Sequence, residues 1–155
     1  MKTIEDIECL FPATLKEALE LMADERTRGR PLAGGTDLMV QWSSGVLPIA
    51  DRAVSVLGLP ELKGIREAGD CVEIGAAVTH AELRGSPLVG QCLPALTAAA
   101  ATIGGAQIQA RGTIAGNVAN ASPAGDLAPA LLVTGGSVVV ASVQGERQVP
   151  LAKFF

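Results

Sequence analysis

Tyrosine is absent from this 155-residue sequence, and three Phe and one Trp make up its entire aromatic complement. So few rings cannot form a base-stacking platform, so a ligand would have to be gripped mainly by main-chain amides and small polar groups. Cysteine is equally sparse. Cys9, Cys71 and Cys92 are odd in number, far apart and never in a Cys-x-x-Cys arrangement, which argues against a disulfide framework and against a zinc or iron-sulfur site in this chain. No apolar run reaches the roughly 18 residues of a bilayer crossing, and the polar start Met1-Lys2-Thr3-Ile4-Glu5-Asp6 lacks the apolar stretch of a secretion signal. A cytoplasmic protein without membrane insertion is expected. The 12 Lys and Arg residues form no block and the formal net charge is -4, so the chain carries no electrostatic footprint for nucleic acid.

What the sequence does have is apolar content and glycine. Hydrophobic residues make up 48% and charged residues 18%, a balance that suits one ordinary globular domain. The 18 glycines gather around Gly34 and between Gly104 and Gly125, so backbone itself is offered as a surface. Along the chain, a strand-like run covers Ile4 to Leu10, and Thr14-Leu15-Lys16-Glu17 fits a capping box opening a helix from Leu15 to Asp24, ended by Gly29. Pro31-Leu32-Ala33 reads as a short strand leading into Gly34-Gly35 and a helix start at Leu38. Ala53 to Leu57 is a buried-strand candidate, and Gly64 to Ala77 a hairpin turning at Ala68-Gly69-Asp70. A second capping box, Thr79-His80-Ala81-Glu82, precedes an Ala-rich helix from Leu88 to Ile103 ending at Gly104-Gly105. Residues 107–126 lack periodicity and read as a long functional loop. A helix from Leu127 to Val133 and a hairpin of Ser137 to Ser142 with Gln148 to Leu151 close the chain.

The first glycine segment, Ala33-Gly34-Gly35-Thr36-Asp37, presents consecutive amides with no side-chain obstruction beside a hydroxyl, features that suit a diphosphate. Paired glycines also make plain tight turns. Neither Gly-x-Gly-x-x-Gly nor Gly-Lys-Ser/Thr is present here, which removes the Rossmann and P-loop readings. The second segment, Thr102 to Asp126, strings small residues between Thr, Asn, Ser and Asp. Such a run can wrap a long polar ligand, with Asn117 and Asn120 donating and accepting and Asp126 accepting from hydroxyls. No nucleophile or acid-base pair stands out, so no catalytic residue is assigned. His80 reads as part of a capping turn, and Trp42 as core or a subunit contact.

Thr102 to Asp126, paired with Ala33 to Asp37, closely resembles the FAD-binding (medium, or flavin) subunit of the molybdopterin dehydrogenases, the family of carbon monoxide dehydrogenase and xanthine dehydrogenase. The likeness runs through Thr79-His80-Ala81-Glu82-Leu83 to Val149-Pro150-Leu151-Ala152-Lys153-Phe154-Phe155. It implies an α+β fold of two small α/β subdomains, about 1–57 with a short parallel sheet and about 58–155 with a mixed or antiparallel one, and FAD in the cleft between them. It implies that Gly34, Gly35 and Thr36 form the first diphosphate-binding turn, flanked by Ala33, Asp37 and Leu38. Thr113, Ile114, Gly116 and Asn117 match the second motif, and Asn120, Gly125 and Asp126 match positions near the flavin or its ribityl chain. A side chain at Gly35 or Gly116 would then block the approach of backbone to phosphate.

The resemblance further implies a large molybdopterin subunit and a small iron-sulfur subunit as partners, with FAD in this chain passing electrons to NAD or another acceptor. On this resemblance the family's C-terminal domain is expected to be absent. The alternative is a truncated, non-catalytic relative or fragment with weak or no FAD binding. Two further departures stand out: Ala115 replaces the first glycine of the family's pair, and Gln109-Ala110 replaces a common Arg-Asn pair.

Overall fold

The computed structural model describes residues 3–26 and 29–155; Met1 and Lys2, the start of the polar opening, lie outside them. A parallel three-stranded sheet organises the first third of the chain. Strands β1 (Glu8–Leu10) and β2 (Gly29–Leu32) flank the central β3 (Arg52–Ser55), with Glu8 and Gly29 both in register with Arg52. The run before β1 is a short 3-10 turn, Ile4–Asp6, and not strand, because Asp6 caps it by accepting from the Thr3 amide at 2.7 Å. Parallel strands bury both faces, and Ala53 and Val54 of β3 are accordingly enclosed.

Helix α1 (Leu15–Ala23) covers this sheet, burying Ala18 against Val54 and Leu59. Its first amides are satisfied three ways. Thr14 accepts from the Glu17 amide at 3.2 Å, Glu17 accepts from the Ala13 amide at 2.7 Å, and Glu61 reaches across to the Leu15 amide at 2.9 Å. The last bond holds the Glu61 carboxyl below its usual range. The reciprocal half of the expected capping box is thus displaced by one residue. Gly29 does not end this helix; Asp24 caps it, and Gly29 opens β2.

The second part of the chain is built around a separate core of Val78, Leu83, Val89, Leu96, Ala100, Val118, Leu127 and Leu151. Its strands form two independent antiparallel ladders and not one sheet: β4 (Ile65–Ala68) with β5 (Cys71–Ile74), and β6 (Ser137–Ser142) with β7 (Gly145–Pro150). The closing hairpin pairs Ser142 with Gly145, so its turn is the two residues Val143-Gln144 and β7 starts earlier than the sequence suggested. Helix α3 (His80–Gly85) opens with the complete capping box of Thr79 and Glu82. The Ala-rich stretch is not one helix. It divides into α4 (Pro87–Cys92) and α5 (Pro94–Thr102), because Pro94 has no amide to continue α4 but fits the first turn of a new helix.

The stretch 107–126 is likewise not one loop. It holds α6 (Ala106–Gln109) and α7 (Ile114–Asn120), followed by α8 (Leu127–Leu132). Helix α7 buries Ile114 and Val118, one turn apart, in the second core, and Thr113 caps its first turn.

Candidate functional site

The turn between β2 and α2 (Leu38–Ser43) is the first element of the site. Gly35 adopts φ +76, which lets the chain fold back without a steric penalty. The amides of Gly34, Gly35, Thr36 and Asp37 donate to no acceptor among the described residues, nor does that of Leu38, which opens α2; Met39 donates to the Gly35 carbonyl at 3.0 Å. Four successive free amides on a tight turn form a concavity suited to an anion.

The second glycine segment lies directly against this turn. A Cβ placed on Gly34 would fall 1.9 Å from the carbonyl oxygen of Arg111 and 3.0 Å from the Cα of Gly112, so the two backbones touch with no room for even a methyl group. From Gly112 the chain continues into the second core. The His80 amide donates to the Gly112 carbonyl at 3.0 Å, Ile114 to Val78 at 2.9 Å and Ala115 to Ala76 at 3.3 Å. A further tie joins the helices: Gln41 of α2 donates to the Asn120 side-chain oxygen at 3.0 Å. Ala33 to Leu38 and Thr113 to Asn120 are therefore neighbours in space, some eighty residues apart in sequence.

The expected site residues divide by what they have left to offer. Thr113 is 98% buried and accepts from the Gly116 amide at 3.1 Å, while Asn117 donates its amide to the Thr113 carbonyl, so the opening amides of α7 are already satisfied. Ile114 points into the core. These residues shape the site from beneath, and an anion has its free donors at 34–37. Ala115 stands at the helical start of α7 without positive φ, so its methyl group is compatible with the backbone there. Asn117, Asn120, Gly125 and Asp126 form the outer part. Gly125 packs near Asn117, whose side-chain oxygen would lie 3.7 Å from a Cβ there, and Ala121 between them holds φ 47, a conformation rare outside glycine. Asp126 occupies the N-cap of α8 without a capping bond.

Two residues that the sequence marked only as part of a capping turn, His80, and as a departure from the family pattern, Gln109, are buried. Gln109 is 4% exposed; its Nε2 donates to the carbonyls of Ala101, Ile103 and Gly104 at 3.2, 3.0 and 3.4 Å, while its Oε1 accepts from Arg84. From α6 its side chain satisfies carbonyls at the end of α5 and in the turn that follows, so this departure from the family pattern has a structural task. His80 is 2% exposed, lies against Gly112, and leaves Nδ1 without a partner among the described residues. Burial pushes its imidazole below the usual value, and the Asp37 carboxylate offsets part of that. The neutral ring is favoured in the folded chain. Between the lowered value and the ordinary one near ~6.5, only the unfolded chain takes up the proton, so stability is intact above that range and falls as pH drops through it. The melting temperature is expected to decrease from pH 7 to pH 5 and to decrease less in His80→Gln; equal slopes would contradict this.

Trp42 is buried on α2, its Nε1 unpartnered among the described residues. No group of three His, Cys, Asp or Glu is placed to hold a metal among the described residues, and no helix there is long and apolar enough to cross a membrane. A groove of about 600 Å³ lined by Ala81, Arg84, Gly85, Gly90, Pro94 and Thr97 shares no residue with the two glycine segments.

Residues 5–155 match the family model described as the FAD binding domain in molybdopterin dehydrogenase. The chain belongs to that family. The nicotinate dehydrogenase FAD-subunit of Eubacterium barkeri is 34% identical over 157 residues, covering 98% of this chain and 51% of its own length. The xanthine dehydrogenase FAD-binding subunit of Escherichia coli O157:H7 is 36% identical over 146 residues, with 92% and 48% covered. Among solved structures, carbon monoxide dehydrogenase from Hydrogenophaga pseudoflava aligns with a TM-score of 0.89 at 32% identity, covering 94% of this chain and 50% of that one. This α+β domain thus spans about half the length of the curated relatives it matches.

Proposed function

We propose that this chain holds FAD as the flavin-binding part of a molybdenum-containing hydroxylase or dehydrogenase. The observation that carries this reading is the four free amides at Gly34, Gly35, Thr36 and Asp37, pressed against the second glycine segment through Gly34 and Arg111. The turn supplies donors for the diphosphate, while Asn117, Asn120 and Asp126 supply donors and acceptors for the ribityl chain and flavin edge. When bound, FAD supplies the redox chemistry. The chain's own residues bind and orient it.

In this reading the site comprises Ala33 to Leu38 with Thr113, Ile114, Gly116, Asn117, Asn120, Gly125 and Asp126, and the subdomains are about 1–57 and 58–155, with Leu59 and Leu62 from beyond that boundary packing into the first core. The partners are a large molybdopterin subunit and a small iron-sulfur subunit. Electrons reach the flavin from the iron-sulfur clusters and leave to NAD or another acceptor. The similarity to FAD subunits of nicotinate and xanthine dehydrogenases, and to a solved Cu,Mo-CO dehydrogenase, supports this. The location proposed is cytoplasmic.

The test is a fluorescence titration of the full chain with FAD and with riboflavin. One FAD is expected to bind per chain, at least tenfold more tightly than riboflavin, because riboflavin has nothing to place on the free amides. Equal affinities would contradict the diphosphate role of the turn.

A further inference from the structure

Within the two glycine segments, 33–38 and 107–126, the charged side chains are Asp37, Asp126 and Arg111. A diphosphate brought to the free amides would therefore meet the Asp37 carboxylate on the turn, and the one cation in either segment is Arg111. Arg111 springs from the backbone that Gly34 touches, so the stem of its side chain starts within a few ångströms of the turn. Its side chain is exposed and makes no hydrogen bond or ion pair among the described residues, Asp37 and Asp126 included. A long cationic side chain anchored at a tight junction, yet left free, has one uncommitted acceptor class within reach: the phosphate oxygens of a ligand on the turn.

We propose that Arg111 is the charge-balancing residue of the cofactor site, its guanidinium closing over the diphosphate that the amides of 34–37 hold from the other side. This rests on the FAD reading above. The amides give direction but no net charge, and the Asp37 carboxylate on the same turn repels a dianion. Arg111 supplies the countercharge that makes the turn selective for FAD over an uncharged flavin.

The experiment titrates FAD and riboflavin into the wild-type chain, Arg111→Gln and Arg111→Lys at two ionic strengths. A charge-assisted contact predicts that Arg111→Gln weakens FAD binding about tenfold or more and flattens its salt dependence. Arg111→Lys should keep the salt dependence and part of the affinity, and riboflavin binding should not change. The melting temperature of Arg111→Gln should match wild type, since the side chain makes no contact in the fold. If Arg111→Gln binds FAD within twofold of wild type with the same salt dependence, the Arg111 role is overturned while the FAD reading stands. If the wild-type chain itself prefers FAD no more than riboflavin, the reading of the turn fails and this role with it.

Discussion

Gly34→Ala should destabilise the domain by about 3 kcal/mol and weaken FAD binding by roughly 100-fold or more, the largest effect expected of any single methyl group in the chain. The added carbon would lie 1.9 Å from the Arg111 carbonyl oxygen and 2.5 Å from its carbon, and both atoms are backbone. No side-chain rotation relieves such a clash. The turn must separate from the second segment, and the free amides then lose their fixed position. Neighbouring glycines make useful controls. At Gly35 the added carbon meets only the side chains of Met39 and Leu32 at 3.2 and 3.3 Å, and the φ of +76 makes alanine strained by about 1 kcal/mol. At Gly116 it meets the capping oxygen of Thr113 at 2.9 Å, which can shift. Thermal melting and FAD titration of the three variants should therefore rank Gly34 first. A Gly34→Ala chain that melts and binds like wild type would refute the proposed junction.

Gln109→Ala should lower stability by about 2–3 kcal/mol without touching any proposed cofactor contact. The substitution removes the donor shared by three carbonyls at the end of α5 and leaves the Arg84 guanidinium without its acceptor. The cost combines lost hydrogen bonds with a cavity where a nearly enclosed side chain had been. Denaturant unfolding measures it directly. A change below about 0.5 kcal/mol would mean that water replaces the cap fully.

The contrast between these two residues shows where the sequence was legible. Capping boxes are local, so Thr79 with Glu82 could be read from four letters. Thr14 with Glu17 could be read almost as well, except that the Glu17 carboxylate selects the Ala13 amide. The break at Pro94 carried its own signal in the missing amide, but the surrounding alanines hid it. Helix α7 offered only one apolar pair, Ile114 and Val118, among glycine, alanine and asparagine, and no carboxylate at its third position, where Gly116 stands, so only the Thr113 hydroxyl marked its start. Gln109 offered no signal at all: its burial follows from carbonyls of α5 that sequence spacing does not place.

The site was legible in outline for a different reason. Bare backbone in two segments pointed to a polar, phosphate-bearing ligand, and family resemblance paired the segments. Which atoms remain free depends on three-dimensional hydrogen bonding. The amides opening α7 are spent on Val78, Ala76 and the Thr113 side chain and carbonyl, while those of 34–37 are not. Arg111 was passed over because a lone arginine among glycines has no pattern, and its place against Gly34 emerges only from the fold.

Amide-resolved NMR of the chain during FAD addition addresses the central claim most directly. The amides of Gly34, Gly35, Thr36 and Asp37 are expected to shift and to exchange more slowly with solvent, because they gain phosphate acceptors. Those of Ile114 to Asn117 should change little, being bonded already. The opposite pattern, with 34–37 unmoved and the start of α7 perturbed, would contradict the account.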